Sequence, residues 1–317
     1  MHPALSIIVF TTASGAGFGL LFTLALAVAL GDAPASPGAT IAALALSLAL
    51  IGTGFVSSAF HLGRPERGWR ALGQWRSSWL SREALLAAAV FPLGVALVAD
   101  RLAAGPSPRA MLLAAATALF AAAAVAATGM IYASLKPIRQ WRDPRVVPGY
   151  LALALATGAP WLAALGGLAG DWRPLSAALA LAAIAVALAI KRAYWRAIDG
   201  GAATLTPGDA TGLGHLGPVR LLDAPQTTDN FIMKEMGFRI ARKHAARLRR
   251  VATWGGFAPP FALLAVALAL GPSAPLAAGA AALLAAIFLL AGALVERWLF
   301  FAEAKHSAIL YYGGDAA

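Results

Sequence analysis

The segment from Ala59 to Leu86, AFHLGRPERGWRALGQWRSSWLSREALL, concentrates the side chains able to do chemistry in this chain. It holds His61 and Glu83, with Arg64, Arg67, Arg70 and Arg82 around them and Trp69, Trp75 and Trp79 interleaved. A neutral imidazole titrates near neutrality and a buried carboxyl can hold or release a proton, so the two together could exchange protons with a redox-active ring such as a quinone. A plainer role is also open at these residues. His61 could cap a helix end, Glu83 could pair with Arg82 or Arg64, and each Trp could anchor an interface.

The elements that must position these residues are membrane spans. Of 317 residues 60% are hydrophobic and only 12% charged, too few polar residues to cover a water-facing fold. Apolar runs of span length cover roughly Leu5–Leu30, Thr40–Phe60, Leu80–Ala99, Ala110–Ser134, Gly149–Ala169, Leu175–Ile190, Ala252–Leu270 and Leu276–Trp298. The expected fold is therefore an all-α integral membrane bundle of about eight transmembrane helices, a single domain over residues 1–317. The first run has no Lys or Arg before it and is too long for the core of a cleavable signal peptide. His61 and Glu83 fall at the facing ends of the second and third spans.

Charge sets the expected orientation. The net charge is +11, and the Lys and Arg residues lie between the apolar runs. The connection after span two carries Arg64, Arg67, Arg70, Arg76 and Arg82; that after span four carries Lys136, Arg139, Arg142 and Arg145. A long basic loop, residues 191–251, carries eleven more, and the C-terminal end adds Arg297 and Lys305. Only Arg101, Arg109 and Arg173 fall on the other side. The positive-inside rule then puts both termini and the His61 rim in the cytoplasm. The stretch Phe231–Arg250 reads as a basic amphipathic helix, suited to anionic lipid headgroups or to a peripheral partner subunit. Since the charge is confined to loops, nucleic-acid binding is not expected.

Several chemistries are excluded. With no cysteine, this chain can hold no thiolate-ligated iron–sulfur cluster, and any such centre belongs to a partner. The histidines are His2, His61, His215, His244 and His306, none of them mid-span, which argues against a transmembrane haem. No chain of carboxylates crosses the midplane, since Glu83, Glu296 and Asp100 all lie near span ends, which argues against a proton pump. A small-molecule transporter would need paired interrupted spans. Gly15, Gly17, Gly19 and Pro92 are the nearest candidates, and close helix packing explains the glycines more simply.

The N-terminal MHPALSIIVFTTASGAGFGLLF, the FHLGRPERGWRAL stretch, the SWLSRE start of span three and the late MKEMGFRIARKHA segment together carry a resemblance. The chain resembles the anchor subunits of dimethyl sulfoxide reductases, a family that includes the anchors of cytoplasmic quinone-linked sulfite dehydrogenases. The late segment is more similar to that second branch. The resemblance implies a quinone-binding membrane anchor in a bacterial inner membrane, with no haem and no metal of its own. It further implies a four-cluster ferredoxin-like iron–sulfur subunit docked on the cytoplasmic loops, and a molybdopterin catalytic subunit beyond it. Quinone binding falls by this resemblance on His61 and Glu83; Arg64, from the Arg cluster beside them, is added to the site, with Trp69 and Arg82 as residues shaping the pocket mouth. Sulfite oxidation coupled to quinone reduction is the preferred direction. Sulfoxide or N-oxide reduction, a quinone-free tether and a transporter are the alternatives.

Overall fold

The computed structural model describes residues 3–200, 205–223, 228 and 240–312. Among these, eight helices are long and apolar enough to cross a membrane. They are α1 (Leu5–Ala29), α2 (Pro37–Ala59), α3 (Trp79–Ala104), α4 (Pro108–Ala133), α5 (Val146–Leu168) and α6 (Pro174–Asp199), followed by two C-terminal spans. A short α7 (Pro207–Thr211) lies between. The seventh span opens as α8 (Ile240–Arg250), widens into a π-helical turn at Val251–Phe257 and continues as α9 (Ala258–Leu270). The eighth is α10 (Pro275–Ala302).

Helix ends follow local chemistry. Ser36, Ser78 and Ser107 accept from the backbone N–H three residues on, and Pro37 and Pro108 start their helices with a φ already suited to them. Gly105 and Gly170, at φ +69° and +77°, turn the chain after α3 and α5.

Helix α1 is the hub. It packs on α2, α4 and α5, while α3 packs on α4 and α5 packs on both α6 and α10. Its residues are buried on every face, whereas most of the other spans leave broad apolar faces outward. An apolar exterior is what a hydrocarbon solvent permits, and close approach of backbones then supplies the cohesion. At the α1–α5 crossing, a Cβ on Gly19 would lie 1.9 Å from the Ala154 carbonyl oxygen, and one on Gly158 would lie 2.2 Å from the Leu20 nitrogen. Gly256 and Gly292 make an equivalent contact between the seventh and eighth spans, where each Cβ would meet the other's Cα at 2.7 and 2.5 Å.

The spans fall where the apolar runs do, with two extensions. Helix α6 runs on to Asp199, so Lys191 and Arg192 sit on a helix and not in a loop, and Lys191 is buried. The seventh span begins near His244, so part of the basic helix expected at Phe231–Arg250 is continuous with a span. Residues 240–250 of that stretch are helical; Phe231–Arg239 lie outside the described residues.

Candidate functional site

The register of α3 separates Arg82 from Glu83. Glu83, Ala87, Val90, Gly94 and Leu97 recur every three or four residues and form the buried stripe of the helix. Helix α4 presents a matching stripe of small residues, Ala110, Ala114, Thr117, Ala121, Ala124 and Thr128. The first member of one stripe meets the last of the other: the Thr128 hydroxyl donates to Glu83 Oε1. Glu83 is 1% exposed, and its Oε2 has no hydrogen-bond partner among the described residues. A buried carboxyl with one oxygen unpaired is costly, and such a group within a span is a candidate for a functional role.

Arg82, about 100° away round the helix, points outward. Its Nε donates to the Trp75 carbonyl at 2.9 Å and its Nη2 to the Arg76 carbonyl at 2.7 Å. Its guanidinium carbon lies 4.3 Å from the centre of the Trp79 ring. Together with Trp75 and Trp79 it forms the polar mouth of a groove of about 480 Å³ on the outer face of the bundle. The walls of the groove are Leu85, Leu86, Phe120, Ala123, Ala126, Ala127 and Met130. An apolar trough with a few polar groups at one end suits a hydrophobic ring carrying carbonyl groups and an isoprenoid tail. Leu86 and Ala127 line the groove while Glu83 and Thr128 close the α3–α4 seam behind it, so the carboxyl sits one helix layer in from the trough.

The linker between α2 and α3 folds as a 3-10 stretch, Pro65–Gln74, held to α3 by the Ser81 hydroxyl donating to the Leu72 carbonyl at 2.9 Å. His61 follows α2 on an exposed turn, and Arg64 stands at the exposed start of the 3-10 stretch. Trp69 is 69% exposed, with the Arg70 guanidinium 5.6 Å from its ring centre. The five residues singled out in the sequence thus form two groups. Glu83 and Arg82 are built into the α3 end, while His61, Arg64 and Trp69 lie on the open linker. Among the described residues, no direct hydrogen bond or ion pair joins His61 to Glu83.

Behind the seam the bundle holds a second polar group that sequence reasoning does not assemble. Lys191 from α6 pairs with Glu296 from α10, and Arg297 Nε donates to Glu296 Oε2 at 2.5 Å. All three are buried. The Arg297 guanidinium also lies 4.1 Å over the Tyr150 ring. Around it Tyr132, Trp141, Tyr150, Phe300 and Phe301 pack edge-to-face and stacked. From the sequence Lys191 reads as a loop residue because it follows an apolar run directly, as charged residues after a span usually do. Thr128 gives no signal at all, being one hydroxyl in the run AAAAVAATGM.

Among the described residues, no group of three or more His, Cys, Asp or Glu could hold a metal ion. Near the same end, Arg249 bridges Asp199 at 2.6 Å and Glu303 at 2.8 Å. Burial pushes the Glu303 carboxyl above the ordinary carboxylate range, against the pull of Arg249.

Comparison with known proteins agrees with this architecture. Residues 1–203 match the family described as DMSO reductase anchor subunit (DmsC). The chain is also 32% identical to the C subunit of sulfite dehydrogenase from Allochromatium vinosum, over 98% of this chain and 99% of that protein.

Proposed function

Because this chain belongs to the DMSO reductase anchor subunit family, we propose that it is the quinone-reactive anchor of a molybdopterin–iron–sulfur oxidoreductase. The observation that carries the reading is the pairing of an apolar groove, opening under Arg82, Trp75 and Trp79, with the buried Glu83 carboxyl in the seam behind it. Electrons pass between a ferredoxin-like iron–sulfur subunit at the basic end and the quinone pool. Reduction of a quinone to quinol takes two electrons and two protons. The electrons come from the partner; the protons must come from groups at the ring.

The residues of this chain divide that work. The groove walls hold the tail and exclude water, and Arg82, fixed by two carbonyls and the Trp79 ring, presents positive charge at the mouth. Positive charge there favours the more negative, partly reduced ring. Glu83, one helix layer in from the trough, holds a proton for delivery across the α3–α4 seam to one carbonyl oxygen, and Thr128 fixes the carboxyl's orientation. His61 and Arg64, on the exposed linker, lie where a docking partner would cover them, and we assign His61 to proton exchange at the assembled rim.

Orientation and partners follow from charge. The Arg-rich linker, the connection between α4 and α5 and the end of α8 form one basic end, which we place in the cytoplasm of a bacterial inner membrane. A four-cluster iron–sulfur subunit docks there, with the molybdopterin subunit beyond it. The name of the Allochromatium relative favours sulfite as the electron donor. The chain lies within one transmembrane domain, and the long basic segment on that side lies within residues 191–251, whose first residues continue α6 and whose last open the seventh span.

The test is affinity purification of the chain from its own membrane in mild detergent, with mass spectrometry and metal analysis of what accompanies it. A cysteine-rich iron–sulfur protein and a molybdenum protein are expected, with quinone reduced on addition of sulfite. A chain recovered alone and metal-free, under conditions that keep other complexes whole, would overturn the reading.

A further inference from the structure

A second apolar hollow, a recess on the outer face of the bundle, lies on a different side of α4 from the Arg82 groove. Ala121, Ala122 and Val125 of α4 face the recess, whereas Phe120, Ala123, Ala127 and Met130 face the groove. The recess exists because α5 is drawn inward. The close approach of Gly19 to Ala154 sinks α5 against α1, and α4 and α6 pack on α5 rather than on each other. Phe18 and Gly19 form the floor, Ala122 and Val186 stand on the two walls, and Pro148 lies at the end nearest the basic rim. The volume is about 360 Å³, and the recess follows α5 from Pro148 to Leu155, about 10 Å of helix. Phe18 is buried while Val186 is 51% exposed, so the hollow opens outward, toward lipid.

No polar side chain lines this recess. Nothing in it could meet the carbonyls of a ring as Arg82 and the two Trp can in the groove, and an apolar hollow holds no ordered water. A hydrocarbon chain fits its chemistry, because an unfilled hollow forfeits van der Waals contact along its walls. Charge above the recess selects the headgroup. Arg145 takes helical φ and ψ one turn before Pro148, so it stands on the same face of α5, over the open end. Its Nη1 donates to Asp143 Oδ2 at 2.8 Å, yet the side chain is 40% exposed and keeps further N–H groups for another anion. Arg142 is exposed and in no ion pair among the described residues. Residues 134–145 carry Lys136, Arg139, Arg142 and Arg145 against the single acid Asp143.

We propose that this recess is a site for an anionic phospholipid, with one acyl chain lying between α4 and α6 and the phosphate held by Arg145 and Arg142. Basic residues over a gap between spans are the pattern that recognises anionic headgroups. The proposal uses only the spans and their basic end, so it stands apart from the quinone reading. The lipid fills the hollow that the α1–α5 crossing leaves open and adds cohesion between α4, α5 and α6. A ligand that binds the folded protein alone raises its stability.

The test uses the full chain purified in dodecyl maltoside, with dioleoylphosphatidylglycerol and dioleoylphosphatidylcholine as probes. Native mass spectrometry and thermal unfolding are the readouts. The anionic lipid is expected to bind about tenfold or more tightly than the neutral one and to raise the apparent Tm. Equal binding of the two would mean annular lipid only and would overturn the site. Ala122→Phe fills the hollow from one wall, and Arg142→Gln with Arg145→Gln removes the headgroup contacts. Each is expected to weaken binding of the anionic lipid by about tenfold. A lipid held only by the basic loops would keep its preference in Ala122→Phe, which would overturn the recess as its seat. The paired Arg variant changes no packed residue of a span, so it decides the proposal should Ala122→Phe fail to fold; an undiminished preference there would overturn it. In a cryo-EM map of the assembled complex, chain density is expected in the recess beneath Arg145. A quinone ring or a partner's helix in that place would contradict the assignment.

Discussion

Glu83 owes its placement to helical phase. One residue earlier and it would face the groove as Arg82 does; one turn later and it would meet the small residues of α4 instead of Thr128. The pair is therefore sensitive to a change that leaves volume alone. Thr128→Val keeps the shape of the side chain and removes the donor, stranding both carboxyl oxygens. A loss of about 1–3 kcal/mol is expected, read as a lowered apparent Tm of the purified complex, together with slower quinone turnover. An unchanged Tm would mean that Glu83 finds another partner. The carboxyl is legible in the sequence because an acid just inside an apolar span is unusual. Its partner is not, because a Thr in an alanine-rich run carries no periodic signal, and only the α3–α4 crossing brings them together. His61, by contrast, reads from the sequence as converging with Glu83, and the turn after α2 leaves it exposed. Of these two, Glu83 alone is built into the isolated chain, and His61 waits on what covers the linker.

Helices come next, and here the sequence is read more easily, since the apolar runs that a bilayer requires are long. Packing within the bilayer depends on backbone approach, which rests on single glycines. Gly19→Val would drive a side chain into the Ala154 carbonyl, separating α1 from α5, and the complex is expected not to assemble in the membrane. Gly15→Ala is the control: its Cβ would sit 3.9 Å from the Ala154 Cβ, an ordinary contact, so assembly is expected to hold. Blue-native electrophoresis of the two variants separates these outcomes. The segment after α10 responds to pH in a direction that geometry sets. His306 Nδ1 accepts from the Ala308 N–H at 3.0 Å, and the Ser307 N–H reaches the Pro137 carbonyl at 2.9 Å. Burial lowers the His306 imidazole below its ordinary value of 6.5. The unfolded segment therefore binds the proton first as pH falls. The docking contribution is whole above about 6.5 and is lost as pH drops from there through the lower folded value. Amide exchange in residues 307–312, corrected for the intrinsic effect of pH, is expected to show less protection at about pH 5 than at about pH 7; equal protection at both would contradict this. Lys191 marks where sequence reasoning fails at this scale, since the end of an apolar run is not the end of a helix. Helix α6 continues past it to Asp199 and holds it inside the bundle.

At the scale of the molecule, sidedness and charge organise the account. The chain contains no cysteine, so single cysteines report their side of the membrane without background. Arg142→Cys, between α4 and α5, is expected to react only with reagents that reach the cytoplasm, and Arg109→Cys, at the start of α4, with impermeant reagents added outside. The reverse pattern would invert the orientation and move the docking face with it. Inside the bundle, the Lys191–Glu296–Arg297 cluster joins α6 to α10, and its one anion offsets two cations. Glu296→Gln is expected to destabilise the protein by about 3–5 kcal/mol, because both cations are left buried without a counter-charge; detergent thermal unfolding measures it. The cluster and the groove lie on opposite sides of the Glu83 seam. Glu83 thus has an apolar groove on one side and a buried polar cluster on the other. The measurement that tests this most directly is sulfite-driven quinone reduction by the Glu83→Gln complex, with its assembly and metal content matched to wild type. The account predicts that kcat falls by about a hundredfold while electron transfer from sulfite to the iron–sulfur clusters continues. Wild-type quinone reduction by a fully assembled Glu83→Gln complex would contradict it.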